Sequence, residues 1–290
     1  MKRLLLCAAL LSLAVTARAQ IQVDLKFARL QYIAYEPVIA TVTITNLAGR
    51  DIDLHDDNEQ HWFGFEVTAD EGRTLAPLTQ ASEPSLRIAT GTSVTRKINL
   101  TPLFPVTDLG VYHVRPNVFF ADLNKFFYAR AKVFEVTGAR PIWQRTVGLP
   151  GGAGGDGVRT FSLMTNRFPD HTSLYVRVED KSNGLVYATY SLGRVISFDE
   201  PHAEVDKNNQ LHVLQCSAPR VWSYSIVDLD GHLRKHTSYT QTRSMPRLRR
   251  AADGSVAVGG GMLDVPVALA VPGKATPKLS DRPAELPPED

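Results

Sequence analysis

The densest group of residues able to do chemistry is His55-Asp56-Asp57-Asn58-Glu59-Gln60-His61. Two imidazoles and three carboxylates in one short run could hold Zn²⁺ or Ca²⁺, with His55, Asp57 and His61 as the candidate ligands. The His-x5-His spacing matches no familiar metal site. A solvated loop between strands explains the same composition, so no metal is expected there. His232 and His236 have the i,i+4 spacing of a helical zinc pair, but they follow a turn on an expected strand. On a strand that spacing covers about 13 Å, too far for one ion, and no Glu follows His232 to make H-E-x-x-H.

Asp228-Leu229-Asp230-Gly231 begins like a calcium loop, without the further Asp and distal Glu such a loop needs. Asp-Gly there reads as turn chemistry. No G-x-S-x-G occurs. The glycine-rich stretch 149–157 has no Gly-Lys-Ser/Thr and no strand-to-helix context, which argues against a phosphate-cradling loop. Glu179 and Asp180 are adjacent, so on a strand they face opposite ways. No catalytic residue is assigned and no cofactor is expected. Carboxylates that converge only in space are invisible in sequence, so a carbohydrate-active hydrolase using the C-terminal region stands as the alternative function.

The segment Phe119-Phe120-Ala121-Asp122-Leu123-Asn124-Lys125-Phe126-Phe127-Tyr128 sets five aromatic rings around a short turn. If both flanking strands alternate, half of Phe119, Phe120, Phe126, Phe127 and Tyr128 fill a core. The other half leave apolar surface near a loop tip, where binding surfaces often lie. These five are the candidate partner-binding residues. Arg243, Arg247, Arg249 and Arg250 make a local basic stretch, read as a solvated strand edge.

The elements that must position these residues are strands. Val38–Thr45 alternates with period two and is β-branched, Phe63–Thr68 runs to the turn Asp70-Glu71-Gly72, and Val94–Leu100 alternates again. Val111–Val114, Val118–Phe120 and Phe126–Val136 follow, separated by turn residues. Beyond residue 158 come four turn signals, Asn183-Gly184, Asn208-Asn209, Asp230-Gly231 and Asp253-Gly254, each between two candidate strands. Asn-Gly and Asp-Gly supply the positive φ that tight hairpins require. The expected fold class is all-β: an antiparallel β-sandwich followed by a second β-meander domain. The expected organisation is a signal peptide at 1–19, a sandwich at 20–140, a glycine-rich linker at 141–157, a meander at 158–265 and a proline-rich disordered tail at 266–290.

Asp108-Leu109-Gly110-Val111-Tyr112-His113-Val114 resembles the D-x-G-x-Y-x-C segment of immunoglobulin domains, with Val114 in the cysteine position. The resemblance implies an Ig-like sandwich in which Tyr112 bonds back to upstream backbone and, with Asp108 and Gly110, pins a corner. The opening Tyr35-Glu36-Pro37-Val38 also resembles bacterial secreted Ig-like and macroglobulin-type domains. Leu185–Arg194, Asn208–Cys216 and Val227–His236 resemble β-propeller blades. At about 40–45 residues per blade, the C-terminal region has room for only about two.

The first nineteen residues carry Lys2 and Arg3, an apolar run Leu4–Val15 and the small-x-small site Ala17-Arg18-Ala19. This is the pattern of a secretory signal peptide cleaved after Ala19, too short to span a bilayer. Without Lys2, Arg3 and Arg18 the chain carries 29 basic against 30 acidic residues. That balance gives no reason to expect nucleic acid. Only Cys216 follows residue 19, so no intramolecular disulfide is expected, and Cys216 reads as a small packing residue. The expected function is an exported, non-catalytic binding or structural protein, secreted or periplasmic. Its expected partner is a protein or glycan at the cell envelope, and an oligomer is compatible with the sequence.

Overall fold

A computed structural model describes residues 20–57, 60–79, 83–149, 157–196 and 199–264. The expected signal peptide at 1–19 and the expected proline-rich tail at 266–290 lie outside them. In chain order the strands are β1 (Ile21–Phe27), β2 (Gln31–Ile33), β3 (Ile39–Asn46), β4 (Ile52–Leu54), β5 (Phe63–Ala69), β6 (Leu86–Ile88) and β7 (Ser93–Asn99). Then come β8 (Gly110–Phe120), β9 (Lys125–Tyr128), β10 (Lys132–Thr137), β11 (Arg140–Gly148), β12 (Val158–Arg167), β13 (Thr172–Asp180) and β14 (Leu185–Val195). The rest are β15 (His202–Val205), β16 (Leu211–Ala218), β17 (Val221–Val227), β18 (Leu233–Thr240), β19 (Arg247–Arg250), β20 (Val256–Gly259) and β21 (Met262–Asp264). The fold is all-β; the helical elements among the described residues are two single 3-10 turns, Asp70–Gly72 and Ala121–Leu123.

The described residues form two compact units. One runs to Arg194 and includes Leu229–His232; the other comprises Val195–Asp228 and the described residues from Leu233 onward.

The first unit opens with a sandwich. One sheet has the order β1-β3-β7, the other β2-β10-β8-β5, with β9 on the far part of β8. Alternation makes the core: Val38, Ala40, Val42 and Ile44 are all buried, as are Val114, Val118 and Phe120 from the opposite sheet. The expected breaks at Arg115–Asn117 are absent, and β8 runs straight through Pro116. The register explains why this is tolerated. Strand β10 pairs with β8 only as far as Val114, and β9 begins at Asn117. Pro116, which lacks an N–H, sits in the gap between them.

A four-stranded antiparallel sheet, β11-β12-β13-β14, completes the first unit. Here the expected linker at 141–157 needs correction. Residues 141–148 belong to β11, which pairs with β12 from Arg140↔Thr165 to Gly148↔Val158. The Leu149 N–H donates to the Gly157 carbonyl at 2.8 Å, so the glycine stretch joins two neighbouring strands. Arg140, Pro141 and Arg145 interrupt the apolar alternation of β11, and most of the strand is exposed. That erased its period-two signature.

This sheet is tied to the sandwich by buried and half-buried polar groups. Glu36, Arg29 and Tyr175 form one chain of contacts: Arg29 donates to Glu36 and, at 2.8 Å, to the Tyr175 hydroxyl. Arg177 of β13 donates to the Ala34 carbonyl at 2.6 Å. Ile33, Met164 and Tyr175 pack together beside them.

The second unit is a sheet of order β15-β16-β17-β18-β21 with the hairpin β19–β20. Leu214, Cys216, Trp222 and Tyr224 form its core with Met245, Leu248 and Val258. The turn residues Gly184, Asn209, Gly231 and Gly254 all have positive φ, which accounts for their residue types. At Gly231 the demand is double, because a Cβ there would lie 2.3 Å from that of Ala188.

Candidate functional site

The β8–β9 hairpin sorts its five aromatic rings by register. The turn is closed by Asn124, whose left-handed backbone lets its N–H donate to the Ala121 carbonyl at 2.9 Å. Phe119 lies opposite Phe126, and Val118 opposite Phe127. Phe120 and Phe127 therefore share the inner face: Phe120 is fully buried, and Phe127 packs against the same core. Phe119, Phe126 and Tyr128 share the outer face. Phe119 is itself covered, with its ring 4.9 Å from that of Phe126. Of the five expected partner-binding residues, Phe119 and Phe120 are thus buried and Phe127 is core-packed. Phe126 and Tyr128 remain available. The reason is strand alternation together with the Phe119–Phe126 pair, which covers its own inner member.

Around Phe126 the chain builds a cleft of ≈ 230 Å³ along the edge of β5. Phe65, Phe104 and Phe126 give it aromatic walls, and Gln60, His61, Thr79 and Asn117 give it neutral or weakly basic polar groups. Gly64 stands opposite Asn117 in the ladder, and a Cβ on Gly64 would come within 3.2 Å of the Asn117 amide oxygen. Glycine thus leaves room for the Asn117 amide to lie across the strand. On the same outer face the Arg115 guanidinium stacks 4.1 Å above Tyr128 and lies 3.7 Å from Glu66.

The loop carrying His55, Asp57 and His61 forms one rim of this cleft. Among the described residues these three do not gather as metal ligands. Asp57 and Gln60 instead exchange backbone bonds, each N–H donating to the other's carbonyl. The residue that organises the loop is Asp56. One of its oxygens accepts the Trp62 N–H at 2.9 Å and the other lies 3.0 Å from His61 Nδ1. The Trp62 N–H, then His61, hold this carboxyl below the usual carboxylate range. Trp62 is buried and donates its indole N–H to the Glu83 carbonyl at 3.0 Å. The rim is anchored from below and His61 is oriented from behind. Gln60, Phe65, Thr79, Phe104 and Asn117 carried no sequence signal as site residues. They converge only through pairing between distant strands.

The expected corner residues lie at the start of β8. The Tyr112 hydroxyl donates to the Asp108 carbonyl at 2.8 Å. Gly110 has φ +148°, and a Cβ there would meet an Asp70 carboxyl oxygen at 3.0 Å. That same oxygen accepts the Val111 N–H at 3.0 Å.

Elsewhere, the turn between β17 and β18 brings one ligand atom each from Asp228, Asp230 and His232 within 4.8 Å of one another. Tight turn geometry collects what sequence spacing alone did not, although Asp228 is also paired with Arg234. The second unit holds a buried chain of polar side chains. His212 Nδ1 lies 2.6 Å from the Tyr224 hydroxyl, and its Nε2 lies 3.2 Å from Asp206. Burial first, then Tyr239 and Asp206, push the Tyr224 hydroxyl up to about 12. It therefore stays protonated as it meets Nδ1. These groups are buried, and they fix β16 against β17. Cys216 is buried, and desolvation pushes its thiol up, away from the thiolate that reactivity requires.

No family model and no curated protein matches this sequence. Among solved structures, the sporulation control protein Spo0M from Bacillus subtilis is similar at a TM-score of 0.28 and 11% identity, over 60% of this chain and 91% of that one. A likeness this slight carries no argument.

Proposed function

We propose that the chain is an exported, non-catalytic binding protein of the cell envelope that recognises a protein or glycan partner through the cleft beside β5. The observation that carries this reading is the convergence of the Phe126 ring and the Asn117 amide on one open cleft, with exposed Tyr128 beside them. Aromatic faces with neutral amides suit both sugar rings and peptide side chains. On the rim loop, the Asp56 carboxylate is engaged by Trp62 and His61. A hydrolase would need two facing carboxyls. The one close carboxyl pair noted above, Asp228 and Asp230, sits in a tight turn with Asp228 paired to Arg234, and Glu204, Asp206, Asp253 and Asp264 are engaged by Arg250, His212, Lys207 and Thr240 respectively.

The Ig-like reading of the sandwich draws support from the Tyr112–Asp108 bond, and the blade-like reading from the consecutive antiparallel strands β11 to β14. Export rests on the N-terminal sequence pattern. Expression of the full chain should give an exported product beginning at Gln20; a product retaining Met1 inside the cell would refute it.

The binding experiment uses residues 20–290 as bait for cross-linking in native envelope extract and on a glycan array. A second bait carries Phe126→Ser and Tyr128→Ser, which spare the core. A partner held by the first and lost by the folded second supports the reading. A partner held equally by both, or hydrolysis of an arrayed glycan, overturns it.

A further inference from the structure

The second unit carries an arginine-rich hairpin, β19–β20. Its arginines divide by what they meet. Arg243 lies in the loop before β19. Arg250 serves the fold: its guanidinium donates to the Val205 carbonyl and, at 2.8 Å, to Glu204. Leu248 turns inward and packs on the core around Trp222. Strand alternation then puts Arg247 and Arg249 together on the opposite, solvent side. Among the described residues neither pairs with a carboxylate. Glu204 is taken by Arg250, Asp253 is held by Lys207, and Asp264 accepts from Thr240.

Arg249 is also placed. The register sets Arg247 opposite Gly259, and Arg249 opposite Ala257. A Cβ on Gly259 would lie 2.7 Å from both Cδ and Nε of Arg249. The Arg249 side chain therefore lies diagonally across the hairpin, over the residue that faces Arg247. Gly259 is not among the residues with positive φ, so its backbone does not demand glycine. What the missing Cβ provides is room for this side chain. Ala257, small and exposed, leaves the rest of the face open.

This arrangement works against the hairpin when nothing is bound. Both guanidinium groups stay charged, and like charges gathered on one patch repel. Extension of Arg249 into water would relieve the repulsion, yet a glycine keeps a berth for it on the hairpin. An anion seated between the two groups turns the same geometry into attraction.

We propose that the face of β19–β20 bearing Arg247 and Arg249 binds a terminal phosphate group, free or carried by a larger ligand. Guanidinium forks present paired N–H donors in the geometry that phosphate oxygens accept. Two positive charges match the charge of about −1.5 to −2 that a phosphate monoester carries at pH 7, whereas a carboxylate brings one. This site is separate from the cleft beside β5 and does not depend on it.

The test is titration of residues 20–290 at low ionic strength with inorganic phosphate and with a hexose phosphate, read by calorimetry, with acetate as the carboxylate comparison. Saturable binding of phosphate is expected with a Kd on the order of 1 mM or tighter. Arg247→Gln and Arg249→Gln each weaken it about tenfold. Gly259→Ala keeps every charge but displaces the Arg249 side chain, and weakens it about fivefold. Its added methyl meets only a flexible side chain, so the melting temperature stays at the wild-type value. Arg145→Gln removes the same charge from exposed β11 in the first unit and leaves binding unchanged. Tighter binding of the hexose phosphate supports a phosphate carried by a larger ligand; tighter binding of inorganic phosphate supports the free ion. Absence of saturable binding overturns the proposal, as does acetate bound as tightly as phosphate. So does an unchanged affinity in Gly259→Ala, or a loss in Arg145→Gln equal to that in Arg249→Gln, because either would make the attraction a diffuse effect of net charge.

Discussion

Two grooves run beside sheet edges in the first unit, and they offer a partner different things. The edge of β5 is partly closed by its own chain: the Leu75 N–H bonds to Val67 and the Ala69 N–H to Arg73. What remains open is flanked by Phe65, Phe104, Phe126 and Asn117, so side chains must supply the recognition. The edge of β14 lines its groove over five residues and faces two prolines and a held tyrosine. That groove has no charged lining residue, and the turn at Gly231 packs on Ala188 beside it.

The largest test of this contrast concerns which rings are free. Phe120→Ala empties a fully buried site and should cost about 3–5 kcal/mol. Phe126→Ala, at the cleft wall, should cost about 1 kcal/mol. Denaturant unfolding of both variants measures the difference. Equal costs would make Phe126 a core residue and remove the aromatic wall from the β5 cleft.

Next in size is the joint behind the β14 groove. Glu36 is buried, accepts from the Ile33 N–H at 3.2 Å and pairs with Arg29, which in turn holds Tyr175. Glu36→Gln should cost about 2 kcal/mol, less than a fully buried pair because Arg29 is partly exposed. Tyr35 and Pro37 flank Glu36 and line that groove, so its wall should loosen while binding at the β5 cleft holds. Loss of binding at the β5 cleft would mean that the joint also shapes it. A smaller effect, about 1 kcal/mol, is expected for Tyr112→Phe, which removes one bond to the Asp108 carbonyl. Binding at the β5 cleft should be unchanged, since that corner lies at the opposite end of β8 from Asn117.

The contrast also explains what the sequence disclosed. The β5 cleft was half legible, because clustered rings at 119–128 stand out whatever they pack against. Which of them faced outward depended on register, and that is fixed by pairing with β5 and β10 far away in sequence. The four tight turns beyond residue 158 were legible because their positive φ restricts residue type. The β14 groove was not. Leu185–Ser191 reads as an ordinary strand, and the facing wall comes from Tyr35, Pro37, Asn99, Thr101 and Pro102, far away in sequence. The joint of Arg29, Glu36 and Tyr175 was hidden for a similar reason: its charge pair is seven residues apart, but its third member is 146 residues from the first. The strand β11 was missed because the arginines and proline that protect its edge also break its alternation.

The smallest expected effect separates the grooves by pH. Asp56 is held below the ordinary carboxylate range by the Trp62 N–H and by His61. A depressed carboxyl stabilises the fold at pH above its unfolded value, and that contribution is lost as pH falls through the folded value. The melting temperature of wild type should therefore exceed that of Asp56→Asn by a small, constant margin above roughly pH 5. The margin should close as the pH drops below about 4. Because the pair is half exposed, the margin should correspond to less than about 1 kcal/mol. Over the same range His61 loses its anionic support, so a ligand at the β5 cleft should weaken. The β14 groove is lined by tyrosine, proline, asparagine, threonine, valine and alanine, none of which titrates in acid. Acid loss of binding at the β5 cleft that persists unchanged in Asp56→Asn would place the acid-sensitive element in the scaffold instead.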